Sequence, residues 1–367
     1  MLRFVCRTGG NSVPPTLFSV EDSVRNAYHV AVVGIGAVGS EMIRVLKQRS
    51  FPCASLRVFA RSTRDEVVDG VTYHVQQVTE EAFDHIDLAL FAGGEKVEDH
   101  FGIRALNRRK TVPGLSRLVC IDNGNAFRMY PNVPLVVPEV NPEALREHQG
   151  MIANPNCSTI KLVVALKPLH DYARIKRVVV STYQAVSGKS AQAREELAKQ
   201  TKDAAAGKTP EVDTSIFPYP IIGNCLPHID VFLPDGYTRE EWKMVNETRK
   251  ILGDDTIQLT ATTVRVPVDN AHAESVNVEF YEPISVEKAR ELLTNAPGIV
   301  VIDDPAKDKY PLQAEASGAD PVFVGRIRQD RSVAFGLNLW VVADNLRKGA
   351  ALNALQIAEK MREMGLL

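Results

Sequence analysis

The stretch Ile152–Lys161 reads "IANPNCSTIK" and sets Cys157 between a proline-constrained turn and the apolar run "IKLVVALKPLHD". A thiol at the first turn of a helix meets unpaired backbone N–H groups and the positive end of the helix dipole, which favour the thiolate. Beside a nicotinamide-binding fold, such a thiolate suits an aldehyde or acyl-phosphate dehydrogenase: sulfur adds to the carbonyl carbon, and hydride transfer interconverts thiohemiacetal and thioester.

The second group able to do chemistry is the glycine run in "YHVAVVGIGAVGSEMIRVLKQRS". An apolar strand from His29 to Val33 meets Gly34, Gly36 and Gly39, and a helix with Val38, Met42, Val45 and Leu46 on one face follows. This is G-x-G-x-x-G between strand and helix, where Gly34 makes the turn, Gly36 admits a pyrophosphate and Gly39 lets helix and strand pack closely. Ala37 and Val38 at the helix start and Gly93 in "DLALFAGG" belong to the same expected dinucleotide site. The next strand ends in Arg61, Ser62, Thr63 and Arg64 instead of the acidic residue that would bind a free ribose 2′-hydroxyl. Two guanidiniums and two hydroxyls suit a 2′-phosphate, so NADP is the expected cofactor.

These groups need two supports. Strands alternating with helices through "DLALFAGG", a helix around Glu98 to Arg108, "RLVCIDNGNAFRM" and "PLVVPEV" predict a doubly wound, mainly parallel sheet. From "RIKRVVVSTYQAVSG" onward the chain is strand-rich with hairpin-like spacing, and its helices fall near Ala191 to Ala206, Thr238 to Leu252 and Val286 to Asn295. That pattern predicts an open, largely antiparallel sheet. The fold class is α/β: a Rossmann-type domain over 29–156, completed by a helix within 346–367, plus an α+β catalytic and dimerisation domain over 157–345. Gly207 to Pro220 is the expected long irregular connection.

Composition excludes other classes. A net charge of −2 with no basic stripe argues against nucleic acid, and no apolar run is long enough for a membrane span, so the expected partner is a small molecule. Five scattered cysteines without a C-x-x-C pair predict reduced thiols, a cytosol-like compartment and no metal site, with Cys120 and Cys225 read as small buried hydrophobes. Residues 1–28 lack acidic groups before Glu21 and recur in Arg, Ser and Thr, which fits either a transit peptide to an organelle matrix or an extension without an address.

From His29 onward the chain resembles the aspartate-semialdehyde dehydrogenase family, through "VVPEVNPE", "IANPNCSTI", "VVALKPLHD", "PHIDVF", "EEWKMVNETRKILGD", "VRVPV" and "LNLWVVADNLRKGAALNA". The resemblance implies NADPH-dependent reductive dephosphorylation of L-aspartyl-4-phosphate to L-aspartate-4-semialdehyde, en route to lysine, threonine and methionine, by a homodimer or homotetramer. It also implies roles at matching positions. Cys157 is similar to the nucleophile, Gln184 to the residue orienting the acyl group or a water, and His272 to an acid/base group titrating near neutrality. Arg265 matches the group gripping the substrate α-carboxylate and Glu240 the acceptor of its α-ammonium. Arg128 and Lys243 match the phosphate ligands, Asn156 a substrate-binding position, and Asn345 the residue holding the nicotinamide carboxamide.

The chain departs from the family pattern in the glycine turn, one residue shorter and without a threonine, and in Gly124-Asn125 where paired serines are usual. It departs also in Asp269-Asn270 before Ala271-His272, expected to put a carboxylate near an anionic substrate, and in the added "TVPGLS" after Lys110. Two rival readings are an N-acetyl-γ-glutamyl-phosphate reductase and a lapsed paralogue kept for subunit association. The first has a cysteine motif resembling "PGCYPT"; the second has no chemical reason to keep Cys157, Gln184, Arg265 and His272 together.

Overall fold

The computed structural model describes residues 27–93, 96–115 and 117–367. The N-terminal extension, whose transit-peptide reading was one of two, lies outside the described residues up to residue 26.

Seven strands make the first sheet: β1 (Tyr28–Val33), β2 (Cys53–Ala60), β3 (Arg64–Val68), β4 (Val71–Gln77), β5 (Leu88–Phe91), β6 (Val119–Asp122) and β7 (Met151–Ala153). Their spatial order is β3-β4-β2-β1-β5-β6-β7, parallel throughout except for the β3/β4 hairpin. Strands β5 and β6 are buried along their whole length, as parallel strands covered on both faces must be. Val30, Val32, Leu88 and Leu90 pack in one cluster with α1 (Ala37–Gln48), whereas Ala31, Val33, Ala89 and Phe91 face the side of α2 (Phe101–Thr111).

Two local expectations are corrected, and one hairpin was not foreseen. "PLVVPEV" makes a single bridge, Leu135 to Ala153, because Pro134 and Pro138 have no N–H to extend a ladder. The helix expected from Glu98 begins at Phe101, where the His100 ring accepts the Gly102 N–H at 3.1 Å, and a separate 3-10 turn covers Val97–Asp99. The β3/β4 hairpin, turned at Asp69 and Gly70 with φ of 50° and 75°, carries an Asp-Gly turn signal that the strand pattern alone did not expose.

The long helix α3 (Cys157–Ala173) leads into the second sheet, made of β8 (Ile175–Gln184), β9 (Gln258–Arg265), β10 (His272–Phe280), β11 (Ile299–Val301), β12 (Val322–Gln329) and β13 (Gly336–Ala343). The order is β11-β12-β13-β10-β8-β9, with antiparallel pairs in the middle and parallel pairs at both edges. Strands β9 and β10, spaced in sequence like a hairpin, instead flank β8 on opposite sides. Helices α4 (Ala191–Ala205), α5 (Arg239–Leu252) and α6 (Val286–Asn295) each start on a hydroxyl cap, from Ser190, Thr238 and Ser285. In α5 the Thr238 and Glu241 side chains form a reciprocal capping box, and Gly253 in the left-handed region ends the helix. The irregular connection after α4 extends over 206–238, well beyond Pro220.

After a short helix α7 (Gln313–Ala316) and the β12–β13 pair, a π-turn over Arg347–Ala351 leads into α8 (Leu352–Glu363). Helix α8 buries Leu352, Leu355, Ile357 and Met361 against the first sheet beside α1. Lys348, 1 % exposed, pins this return by donating to both oxygens of Glu139 and to Asn353 and Gln356. Cys120 is buried as read, but Cys225 is exposed, as is Cys53. The reason is that Cys225 stands in the irregular connection and not in a strand. Among the described residues no helix is long and apolar enough to cross a membrane.

Candidate active site

Strand alternation decides which side chains meet. Thr182 and Gln184 on β8, Thr263 and Arg265 on β9, and His272 and Glu274 on β10 all fall on buried positions of period two. Gln184 pairs in register with Arg265, and Ala273 with Tyr183, so three adjacent strands bring Gln184, Arg265 and His272 to one end of the sheet. Arg265 is fixed there by donating through Nη1 to Ala185 O at 2.6 Å.

Against that end stands the first turn of α3. Asn156 is its N-cap, with Oδ1 accepting from the N–H groups of Ser158 and Thr159 at 2.9 and 3.2 Å. Asn156 is itself held by α5, donating from its backbone to Glu247 Oε2 at 2.6 Å and from Nδ2 to Glu240 Oε1 at 2.9 Å. Glu240, Lys243 and Glu247 stand at spacings of three and four on one face of α5, and their side chains turn inward. Lys243 Nζ lies 3.1 Å from Glu240 Oε2 and 2.8 Å from Asp230 Oδ2. Gln184 Nε2 donates to Glu240 Oε1 at 3.3 Å. Cys157, Gln184, Arg265, Glu240, Lys243, Asn156 and Arg128 therefore line one cavity of about 570 Å³. The pair Glu240 and Lys243, which spacing alone allows as a solvated surface pair, lines the cavity with Glu240 buried and Lys243 half-buried.

The electrostatics correct two expectations. Asn156 takes the Ser158 and Thr159 N–H groups of the helix end, and burial, helped by the Glu240 carboxylate, pushes the Cys157 thiol up against the pull of Lys161, Arg128 and Arg265. His272 does not titrate near neutrality. Burial, with Lys161 and Arg265 nearby, holds it well below the ordinary imidazole range, and it is 0 % exposed. Its Nδ1 accepts the Ala185 N–H at 3.0 Å, so the neutral ring carries its proton on Nε2. A Cβ on Gly188 would lie 2.8 Å from that Nε2, which puts the imidazole edge directly behind Gly188 at the cavity wall. Glu240 stays ionised: burial opposes its charge, but Lys243, Asn156 and Arg265 hold it below its ordinary range.

Arg128 reaches the cavity but is already engaged, bonding Glu247 Oε1 at 3.0 Å, Asn154 O at 3.0 Å and Asn123 O at 2.8 Å. Asp269 does not face the cavity, in contrast to the expectation from its position. Arg194 on α4 takes its carboxylate, Nε to Oδ1 at 2.7 Å. Asn125, which stands where a hydroxyl is usual, lines the cavity with an amide.

A second cavity, of about 550 Å³, adjoins the first and shares Asn123, Arg128, Asn156, Cys157, Gly188 and Lys189 with it. Its other wall is Gly34, Gly36, Ala37, Val38, Gly39, Gly93 and Asn345. The residues fit a dinucleotide. Gly34 has φ 92°, a Cβ on Gly39 would lie 1.8 Å from Gly34 O, and a Cβ on Gly36 would meet nothing within 4 Å, facing the open cleft. Helix α1 starts on Gly36 without a side-chain cap, leaving its first N–H groups for phosphate. The shorter turn thus still builds a phosphate cradle. Gly34 N donates to Phe59 O at 2.7 Å, which sets the end of β2 beside the loop, whereas Arg64 opens the edge strand β3, and none of Arg61, Ser62 and Arg64 lines the cavity. Arg61 is exposed, whereas Arg64 is drawn to Glu66 at 2.7 Å and to the Ser62 hydroxyl at 3.3 Å. Asn345 donates to Ser187 Oγ at 3.0 Å.

Sequence reasoning missed Asp230, Glu247, Asn123, Lys189 and Gly349. Glu247 was legible as the third charge of the α5 stripe. Gly349 was not: it lies on the π-turn, and a Cβ there would sit 2.9 Å from the Cys157 Cβ.

Two family models match the chain, "Semialdehyde dehydrogenase, NAD binding domain" over residues 29–148 and "Semialdehyde dehydrogenase, dimerisation domain" over residues 166–348. An aspartate-semialdehyde dehydrogenase of Aquifex aeolicus is 50% identical over 350 residues, covering 93% of this chain and 99% of the relative. The crystal structure of aspartate semialdehyde dehydrogenase II from Vibrio cholerae matches with a TM-score of 0.84 and 45% identity, over 92% of this chain and 99% of that one. The same enzyme complexed with ASA matches with a TM-score of 0.84 and 44% identity, over 92% and 98% of the two chains.

Proposed function

Because the chain belongs to the aspartate-semialdehyde dehydrogenase family and is an oxidoreductase acting on an aldehyde, we propose that Cys157 is its nucleophile and that its cofactor is NADP. The observation that carries this reading is the placement of Cys157 at the junction of the two cavities, in reach of the ligands of both.

In this reading the α-carboxylate of L-aspartyl-4-phosphate or L-aspartate-4-semialdehyde pairs with Arg265 and its α-ammonium with Glu240, leaving C4 toward Cys157. Lys243 and Arg128 meet phosphate, an oxyanion for which two cations are apt. Sulfur attacks C4 and phosphate leaves, forming a thioester; in the opposite direction phosphate attacks the thioester and the thiolate leaves. The dinucleotide, when bound, supplies or takes up the hydride. His272, accepting at Nδ1 and carrying its proton on Nε2, is a neutral hydrogen-bond donor behind Gly188. Gln184 orients the acyl oxygen. Arg61, with Ser62 and Arg64, recognises the 2′-phosphate, since no carboxylate ends β2.

An acylated amine, as in the reductase of N-acetyl-γ-glutamyl phosphate, would leave the ionised Glu240 without a charged partner. We further propose that the second sheet joins subunits into a homodimer or homotetramer, supported by the exposed Tyr310 and Leu312 near its open face. The enzyme then serves lysine, threonine and methionine synthesis in a reducing compartment, cytoplasm or organelle matrix. The deciding assay follows NADP reduction spectrophotometrically with aspartate semialdehyde and phosphate as substrates. Turnover that requires phosphate and prefers NADP supports the reading; turnover without phosphate overturns it.

A further inference from the structure

Directly behind the cavity lies a buried ion pair that none of the roles above uses. Lys161 Nζ stands 2.8 Å from Glu274 Oε1, with side chains 2% and 0% exposed. Lys161 follows Cys157 by four residues on α3, so both project from the same helix face. Glu274 follows His272 by two residues on β10, so both project from the same strand face. The pair is therefore a rung between α3 and β10, one step below the rung that Cys157 and His272 would make. Lys161 also reaches Ser158 Oγ at 3.5 Å, in the first turn of the helix that Cys157 begins.

Such a pair is a poor device for stability. Two charges are taken out of water, and among the described residues neither Glu274 oxygen has an aligned hydrogen-bond donor. An apolar pair of similar volume commonly serves a core as well or better. Its placement has a different use. The groups facing Cys157 are Lys161 on its own helix, Glu240 on α5, Arg128 after β6 and Arg265 on β9; those facing His272 are Lys161 and Arg265. Arg128 and Arg265 line the cavity, where a bound substrate brings anions to meet them. Lys161 lines neither cavity, so its partner is Glu274 and not a bound substrate.

We propose that Lys161 is a positioning residue for the nucleophile: its buried ammonium, held in place by Glu274, is the charge against which Cys157 ionises throughout the catalytic cycle. Glu240 opposes that ionisation, and Lys161 is the foremost group favouring it. The same ammonium disfavours the imidazolium of His272, which keeps a neutral ring next to the thiolate. This inference rests on reading Cys157 as the nucleophile.

The test measures the rate of Cys157 carbamidomethylation by iodoacetamide against pH, by peptide mass spectrometry, in the full chain. The exposed thiols Cys53 and Cys225 serve as internal references. The Lys161→Met/Glu274→Gln variant removes both charges without orphaning either, and Lys161→Gln keeps a polar group opposite Glu274. In both, the Cys157 midpoint is expected to rise by about one unit or more, the usual effect of losing an opposite charge at close range, with Cys53 and Cys225 unmoved. Neutral-pH modification then slows roughly tenfold. A midpoint unchanged from wild type, in whichever variant gives a native circular dichroism spectrum, overturns the proposal. Activity retained by wild-type enzyme after Cys157 is modified sinks the nucleophile reading instead, and leaves the thiol midpoint to decide the role of Lys161.

Discussion

Gln184 and Arg265 are register partners, the last residues of the parallel strands β8 and β9, and both turn to the buried face. Arg265 is thus aimed by two strands and by its bond to Ala185 O, with its remaining donors toward the cavity. Arg265→Lys keeps the charge but loses the planar fork, and the transition-state stabilisation read from kcat/KM should fall by about 2–4 kcal/mol in both reaction directions. Steady-state kinetics that vary the semialdehyde check this; a loss confined to phosphate would reassign the residue.

Lys243 sits between Glu240 and Asp230 on the wall of the same cavity, where the proposed function puts phosphate. Lys243→Ala should raise KM for phosphate by tenfold or more, roughly 1.4 kcal/mol, with a smaller effect on the semialdehyde. Phosphate dependence unchanged in the variant would mean that Lys243 serves only to neutralise its two acidic neighbours.

Cys157→Ser removes the nucleophile while leaving the glycine loop untouched. Turnover should drop below about 1% of wild type, since an activated nucleophile is worth several kcal/mol of barrier. Dinucleotide affinity, read by fluorescence titration, should stay within about twofold, far less than one tenfold step in binding energy. Residual turnover well above that level rules out a covalent path through Cys157.

Of the two arginines after β2, Arg61 is the freer, because Arg64 is already paired with Glu66. Arg61→Ala should weaken NADP more than Arg64→Ala does, and both should weaken NADP far more than NAD. Equal losses for the two cofactors would make this loop a general electrostatic contributor.

The pH dependence follows from the two shifted groups at the reacting centre. With His272 held well below its ordinary value of about 6.5, the ring stays neutral as pH falls through that point, so kcat/KM should show no limb there from His272. The raised Cys157 thiol acts in the other sense: its thiolate fraction grows as pH rises, and so should the rate. A limb near neutrality that disappears in His272→Gln would contradict this assignment.

Gly188 covers the His272 edge so closely that a methyl group would lie 2.8 Å from Nε2 and 3.3 Å from Arg265 Nη1. Gly188→Ala must displace one of them. It should lower kcat with a modest stability loss of about 1–3 kcal/mol, measured by thermal denaturation. Wild-type kcat in this variant would place the reacting atoms elsewhere.

The two sheets and the glycine cradle were readable because they rest on local periodicity and on turn residues with one geometric use. "PLVVPEV" misled because its apolar content reads as strand while its prolines block the ladder. The charges of the site divide the same way. Glu240, Lys243 and Glu247 form a helical stripe visible in the letters, yet only the docking of α5 against Asn156 turns it inward. The state of His272 and Cys157 was out of reach, because it depends on burial and on Lys161 and Glu240, which tertiary packing brings in. Asp269 failed for a related reason: its sequence neighbour is His272, but its partner in space is Arg194.

Helix α8 and the π-turn before it complete the first sheet's core and press Gly349 against Cys157, although more than 180 residues separate them from the last strand of that sheet. On the ribosome, then, the dinucleotide cradle is made early but cannot close until the whole second sheet has been synthesised. The nascent protein must carry an unfinished hydrophobic face through most of its translation, and its reactive thiol gains a wall only near the end. The contacts that complete the active state are in this way long-range in sequence.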